Sequence, residues 1–125
     1  MRSNKGFTII ELLIVIVIIG ILVAITAVSY TGITNGANTA AAQSNASAVK
    51  KKVIACQAKS GSWPADAAAV LSCDSGGIGL PSGVTVVLNT ALTSGTQKTA
   101  VGYAAGGAVY YWDSTIATPG AVALN

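Results

Sequence analysis

The sequence predicts an α+β fold in which a long N-terminal helix, membrane-spanning in its first half, packs against a small antiparallel sheet of three to four strands. Three patterns predict it: a long apolar run near the N-terminus, a proline-free stretch with helical apolar spacing after it, and short strand-like segments separated by turn residues towards the end. The 125 residues are enough for one domain and too few for two.

Composition argues against catalysis. Apolar residues make up 52% of the chain, charged residues make up only 9%, and histidine is absent. Without histidine there is no His-based triad and there are few ways to build a metal site. Asp66, Asp74 and Asp113 are too scattered in the sequence to indicate a calcium site. We therefore expect no catalytic residues, no metal and no cofactor, and a structural protein that packs against copies of itself.

The first half of the predicted helix, residues 7–28, is almost entirely apolar. Its polar positions are Thr8, Glu11 and Thr26. As a helix this segment is roughly 33 Å long, which matches the hydrocarbon thickness of a bilayer. A buried helix of a soluble protein would have a polar face, and residues 12–19 provide none. Because the run is also longer than the apolar region of a signal peptide, it is predicted to span a membrane.

Basic residues flank only one end of this segment. Arg2 and Lys5 precede it, and the next Lys or Arg along the chain is Lys50. By the positive-inside rule, the N-terminus lies in the cytoplasm and the bulk of the chain lies outside it.

Glu11 is the residue that a simple membrane anchor does not explain. An unpaired carboxylate inside a membrane helix costs on the order of 3 kcal/mol, and no Lys or Arg lies within reach of it on the helix. A new α-amino group, created by cleavage after Gly6, would supply a partner, and that partner could belong to a neighbouring subunit. The alternative is a plain anchor in which the carboxyl group is merely tolerated.

The sequence Gly6-Phe7-Thr8-Ile9-Ile10-Glu11-Leu12, after a short basic leader, resembles the processing site of type IV pilin precursors, which the related pseudopilins share. The resemblance implies that a prepilin peptidase cuts between Gly6 and Phe7 and methylates the amine of Phe7. It also implies that Glu11 pairs with the Phe7 amine of an adjacent subunit during assembly. The short leader and Phe7 resemble the short-leader class of pilins.

On this resemblance the chain divides into a leader peptide at 1–6, a transmembrane and filament-core helix segment at 7–28, and a globular head at 29–125. Helices of the family often carry a proline where this chain has Val28, so no proline kink is expected. Gly20 matches the helix glycine of the family, and Gly32 and Gly36 follow it. These three glycines are expected either to make the helix flexible in the filament or to allow close helix packing.

The helix is expected to continue to about residue 60. An apolar stripe at helical spacing predicts the face that packs on the sheet. The stripe consists of Ala46, Val49, Val53 and Cys56. Lys51 then faces away from the core, and Lys50 and Lys52 flank the stripe. Gly61 is expected to cap the helix, and Trp63-Pro64 to stop it.

Turn residues and strand-like segments fill the rest of the head. Residues 61–83 are predicted to form a connector with one short helical turn at 66–71, and the sheet occupies 84–125. The predicted strands are 84–88, 99–103, 108–112 and a short edge strand at 121–124, after Thr118-Pro119-Gly120. Ala105-Gly106-Gly107 predicts a hairpin between the second and third strands.

The two cysteines are Cys56, on the helix, and Cys73, in the connector. In a head exported to an oxidising compartment they are expected to form a disulfide. The bond would tie the connector to the helix and contribute about 3 kcal/mol in the chain-entropy model. Two free buried thiols are the alternative.

These patterns and the resemblance together favour a type IV pilin, a structural subunit and not an enzyme. Its expected partners are copies of itself in a helical filament, the prepilin peptidase, the pilus assembly machinery and, before assembly, the cytoplasmic membrane; the assembled filament is extracellular. Two alternatives stay open: a pseudopilin of a type II secretion or competence system, and a membrane-tethered binding module that stays monomeric. Lys50-Lys51-Lys52 is a weak signal for nucleic acid, and a solvated helix face is favoured, because no aromatic residues interleave with the lysines.

Overall fold

The structure, a computed structural model, describes residues 6–96, 98–118 and 120–125. Residues 1–5 of the predicted leader, with Arg2 and Lys5, and Pro119 of the predicted turn lie outside the described residues. The elements, in chain order, are α1 (Ile9–Ser60), α2 (Ala67–Ser72), β1 (Thr85–Leu88), a 3₁₀ turn (Asn89–Ala91), β2 (Ala100–Ala104), β3 (Ala108–Asp113) and β4 (Gly120–Ala123). The predicted α+β class is confirmed.

The chain forms two compact units, Met1–Thr34 and Asn35–Asn125, and α1 contributes residues to both. In the first unit, every described residue before Thr34 is exposed. The second unit, in contrast, has a core of its own, so the two units depend on different surroundings for their stability.

The core of the second unit lies between α1, α2 and the sheet. The predicted stripe on α1 is confirmed, because all four of its members are buried. Ala46, Val49 and Val53 of the stripe pack in one cluster with residues of the other elements: Val70 of α2, Val86 of β1, Val101 and Tyr103 of β2, and Val109 of β3. The buried Tyr103 hydroxyl donates to the Pro64 carbonyl over 2.7 Å, which satisfies its polar group and ties the connector to the core.

Both helices have end signals that are local in the sequence. α1 ends at Ser60 as predicted, and Gly61 follows it with a φ of 77°. The Gly61 N–H donates to the Gln57 carbonyl over 2.8 Å. At the start of α2, the Asp66 carboxylate accepts from the Ala69 N–H over 2.8 Å, so Asp66 is the cap and the helix begins one residue later than predicted.

All four strands are present, each within one residue of its predicted bounds, but the sheet is mixed. Its order is β1-β2-β3-β4; β2 with β3 and β3 with β4 are antiparallel, whereas β1 and β2 are parallel. The prediction of an antiparallel sheet is therefore wrong for the first pair of strands. Gly106 and Gly107 form the predicted hairpin turn, with φ values of 92° and 90°.

The parallel pairing follows from residues 89–99, which we name the crossover. Leu92 in the crossover is buried, and a Cβ on Gly102 of β2 would lie 2.9 Å from both Asn89 Cα and Leu92 Cδ1. The crossover therefore packs on the face of β2 that does not carry Val101 and Tyr103. Because it returns the chain to the end of the sheet where β1 begins, β2 runs in the same direction as β1.

Candidate functional site

The candidate functional site is the segment 6–11 together with the apolar surface of α1 that follows it. Gly6, Phe7 and Thr8 precede the helix and are exposed. A Cβ on Gly6 would meet nothing within 4 Å. The predicted processing residues thus lie on an accessible, non-helical segment directly before α1.

Thr8 and Glu11 form a capping box at the start of α1. The N–H and the hydroxyl of Thr8 both donate to Glu11 Oε2, over 3.0 and 2.9 Å, and the Glu11 N–H donates to Thr8 Oγ1 over 3.3 Å. These bonds satisfy groups that a helix N-terminus leaves without partners. They also explain why α1 begins at Ile9 and not at Phe7.

Thr8 is a partner of Glu11 that the charge pattern does not reveal. Within the described part of the chain, no lysine lies within ion-pair distance of Glu11. The carboxylate is instead held by hydrogen bonds, which the Thr-x-x-Glu spacing indicates and a search for cations misses. All of them use Oε2, which leaves Oε1 without a hydrogen bond to the described residues.

The apolar part of α1 has no polar face. Residues 9–28 are exposed on every side of the helix, and by length and composition α1 is able to cross a membrane. Its hydroxyl groups bond to the helix backbone: Thr26 Oγ1 donates to the Val23 carbonyl over 3.0 Å, and Ser29 Oγ donates to the Ile25 carbonyl over 3.3 Å. A helix that is apolar all round requires apolar surroundings, which the described chain does not supply.

The three glycines singled out in the sequence, Gly20, Gly32 and Gly36, all lie inside α1. A Cβ on each would meet nothing within 4 Å, so packing among the described residues does not require them. Their role in helix flexibility or in close packing between helices stays a prediction.

Cys56 and Cys73 form the predicted disulfide, with their Cα atoms 5.9 Å apart. Beside it, Lys52 Nζ donates to the Leu71 carbonyl over 3.2 Å. The disulfide, this hydrogen bond and the ion pair between Lys59 and Asp74 therefore join the last turns of α1 to the end of α2 and the residues that follow it.

The three consecutive lysines do not form one basic patch. Lys51 is exposed, Lys52 is buried with its ammonium on the Leu71 carbonyl, and Lys50 Nζ donates to the Leu124 carbonyl over 3.1 Å. Two of the three ammonium groups are thus engaged with carbonyls of the same chain, which weakens the nucleic-acid signal further.

Two aspartates of the second unit are stabilised as carboxylates. The hydrogen bond from Lys59, then the hydrogen bond from the Gly76 N–H, and then the charge of Lys59 lower the pKa of Asp74. Asp113 Oδ1 accepts from the hydroxyl and N–H of Thr115 over 2.6 and 2.8 Å, and from the Thr39 hydroxyl over 3.4 Å. The bonds from Thr115 are the main reason why the pKa of Asp113 is lowered. The Thr39 contact also joins the end of β3 to α1.

These features define a class of chain: a Gly-Phe-Thr-x-x-Glu segment opens a long apolar helix, and a disulfide-linked α+β unit with its own core follows. Residues 1–27 match the family model of the prokaryotic N-terminal methylation motif. The resemblance predicted from Gly6-Phe7 and Glu11 is confirmed for this part of the chain.

The N-terminal part is similar to one particular protein, the type IV narrow pilus major component PilA5 of Thermus thermophilus. The two are 56% identical over 46 residues, which are 37% of this chain and 40% of that protein. The match therefore spans less than half the length of either chain. No solved structure matches the chain.

Proposed function

We propose that this chain is a structural pilin, a subunit of a type IV pilus. Its precursor is held in the cytoplasmic membrane by residues 7–28, with the N-terminus in the cytoplasm and the head outside. A prepilin peptidase cuts between Gly6 and Phe7 and methylates the new amine, and the assembly machinery then builds the subunits into an extracellular filament. The observation that carries the proposal is the exposed, almost entirely apolar first half of α1, most of which lies within the residues that match the N-terminal methylation motif.

The proposal explains the exposed surface of α1. Residues 9–28 bury nothing against the described chain, so their side chains are available to lipid in the precursor and to neighbouring helices in a filament. Both environments are apolar, and transfer from one to the other leaves the hydrophobic free energy of the segment nearly unchanged. Reversible storage in a membrane requires such a balance.

The second oxygen of the Glu11 carboxylate, Oε1, makes no hydrogen bond to the described residues and has a role in this proposal. Oε2 is occupied by Thr8, whereas Oε1 is available to the methylated Phe7 amine of a neighbouring subunit. An attraction between opposite charges is strong in apolar surroundings, and it would favour the axial offset at which amine and carboxylate meet. The backbone N–H of Thr8, which does not depend on the Thr8 side chain, holds Oε2 during this contact.

Mass spectrometry of the mature N-terminus tests the maturation steps. We expect the chain to begin at Phe7 with one added methyl group, and Gly6→Val to leave the precursor uncut because a branched side chain enters the scissile position. Gly20→Val is the matched control, since it makes the same Gly→Val change inside α1, away from the scissile bond, and is expected to be cut normally. Filaments built from uncut Gly6→Val subunits would contradict the proposal.

Electron microscopy of cells separates the pilin from its alternatives. Long surface filaments that disappear on deletion of the gene are expected for a pilin. A processed chain without surface filaments would indicate a pseudopilin, and an intact Met1 on the mature protein would indicate a monomeric tethered module. The similarity of the N-terminal part to a pilus component favours the first outcome.

A further inference from the structure

We propose that Tyr30 anchors the precursor at the outer membrane–water interface and fixes the depth of α1 in the bilayer; this rests on the membrane-held precursor proposed above. Among residues 1–62 the sequence contains two aromatic residues, Phe7 and Tyr30, one at each end of the apolar segment. Both are highly exposed, Phe7 at 90% and Tyr30 at 73%.

The spacing of Tyr30 from the helix start fits a bilayer. From Ile9 to Tyr30 the helix rises by about 32 Å, close to the roughly 30 Å of a hydrocarbon core. Beyond Tyr30 the chain becomes mostly small and polar, with Ile33 as the one large apolar residue among Thr31, Gly32 and Thr34. Tyr30 therefore lies where an apolar helix of this length leaves the lipid.

The chemistry of Tyr30 also fits this position. A phenol has an apolar ring and a polar end, and it favours the level of the lipid headgroups. Two nearby hydroxyls are used inside the helix, since Ser29 donates to the Ile25 carbonyl and Thr34 donates to the Tyr30 carbonyl over 2.8 Å. The Tyr30 hydroxyl, in contrast, makes no hydrogen bond to any described residue, so it is available to lipid ester or phosphate oxygens.

Anchoring at Tyr30 has a consequence at the other end of α1. A rigid helix transmits its depth along its axis, so Tyr30 positions the Gly6–Phe7 bond relative to the cytoplasmic interface. Tyr30 is a positioning residue in this scheme and has no part in the cleavage chemistry.

The test measures insertion depth in the full-length, oxidised precursor, reconstituted in vesicles of phosphatidylethanolamine and phosphatidylglycerol. A nitroxide is attached through Ile33→Cys, about one turn beyond Tyr30, while Cys56 and Cys73 stay in their disulfide. Its relative accessibility to oxygen and to a water-soluble nickel complex reports its depth. Tyr30→Leu is expected to move the label deeper by at least about 1.5 Å, one residue of helix rise.

Two variants serve as controls. Tyr30→Trp keeps an amphipathic ring, and Val28→Leu introduces leucine within the apolar segment; both are expected to leave the label at the native depth. An inserted Tyr30→Leu chain with unchanged depth would overturn the role of Tyr30 alone, and if that chain then failed to form filaments, Tyr30 would be a contact between copies. A native chain that does not co-sediment with the vesicles would overturn both the anchor and the membrane-held precursor.

Discussion

At the scale of single residues, Glu11 has two roles, one through its charge and one through its hydrogen bonds, and different substitutions separate them. Its charge is proposed to attract the Phe7 amine of a neighbour, and its carboxylate completes the capping box with Thr8. Gln keeps the capping geometry without the charge, whereas Leu loses both. We expect Glu11→Gln and Glu11→Leu to be inserted and cut, and to assemble poorly. A loss of roughly 1.4 kcal/mol in the contact corresponds to about tenfold in an equilibrium constant, so filament counts should fall by about that factor or more.

Thr8→Val is the matched control for this prediction, because it removes the capping hydroxyl and keeps the charge of Glu11. Filaments are counted by electron microscopy at membrane levels matched by immunoblot. Near-normal numbers from Thr8→Val and few from Glu11→Gln are expected. Wild-type numbers from Glu11→Leu would end the pairing hypothesis.

Position 107 requires glycine for two reasons: its backbone φ is positive, and the Trp63 ring lies close to it. A Cβ there would lie 2.5 Å from Trp63 Cε3, whereas at Gly106, with nearly the same positive φ, it would meet nothing within 4 Å. Gly106→Ala should cost about 1–2 kcal/mol for the left-handed backbone, and Gly107→Ala about 1–3 kcal/mol more because Trp63 must move. Urea unfolding of the full chain in detergent, followed by tryptophan fluorescence, measures both. If Gly106→Ala and Gly107→Ala lost the same stability, the close approach of Trp63 to Gly107 would add no cost of its own.

At the level of elements, the Cys56–Cys73 disulfide joins α1 to the segment after α2. Reduction should lower the free energy of unfolding by about 3 kcal/mol, because it removes a cross-link and so raises the conformational entropy of the unfolded chain. Protease should then cut first within the predicted connector, residues 61–83. A Cys56→Ser, Cys73→Ser double variant is the control, because its stability should be low and independent of reductant. Identical melting of the native chain with and without reductant would refute this role.

The carboxylate contacts between elements predict a pH dependence. Hydrogen bonds from Thr115 lower the pKa of Asp113 in the folded state, and those from Lys59 lower that of Asp74. Their stabilisation is therefore fully present above the unfolded Asp pKa of about 3.9, and it is lost as the pH falls through the lower folded-state values. Thermal unfolding from neutral pH to about pH 2 should show Tm falling in the acid range. Asp113→Asn should make that decline shallower, and an unchanged slope would contradict the assignment.

For the molecule as a whole, the two units differ in what stabilises them. The unit Asn35–Asn125 contains the buried cluster, the sheet and the disulfide, whereas the exposed apolar residues before it have no core of their own. A fragment that begins at Asn35 should therefore fold without detergent, form the disulfide, and remain unable to assemble. Circular dichroism and gel filtration check this, with the full chain in detergent as the reference. A fragment without cooperative unfolding would show that the head requires the first part of α1.

Much of the N-terminal site was predictable because its signals are short. Gly6-Phe7 and Glu11 are recognisable without any tertiary contact, and the family model matches the same residues. The contact between Thr8 and Glu11 is also short in sequence, and the Thr-x-x-Glu spacing indicates it. It is missed when only a cation is considered as the partner of the carboxylate.

By itself, the sequence determined the elements: where α1 ends at Gly61, which of its faces is buried, the hairpin at Gly106 and Gly107, and the pairing of the only two cysteines. Helical and strand periods, caps and turns act over a few residues, so they can be predicted in place. Only the tertiary structure decided that β1 runs parallel to β2 and that Lys52 is buried. Both outcomes depend on contacts between distant residues, Leu92 on Gly102 and the Lys52 ammonium on the Leu71 carbonyl, which stabilise nothing until the chain has folded.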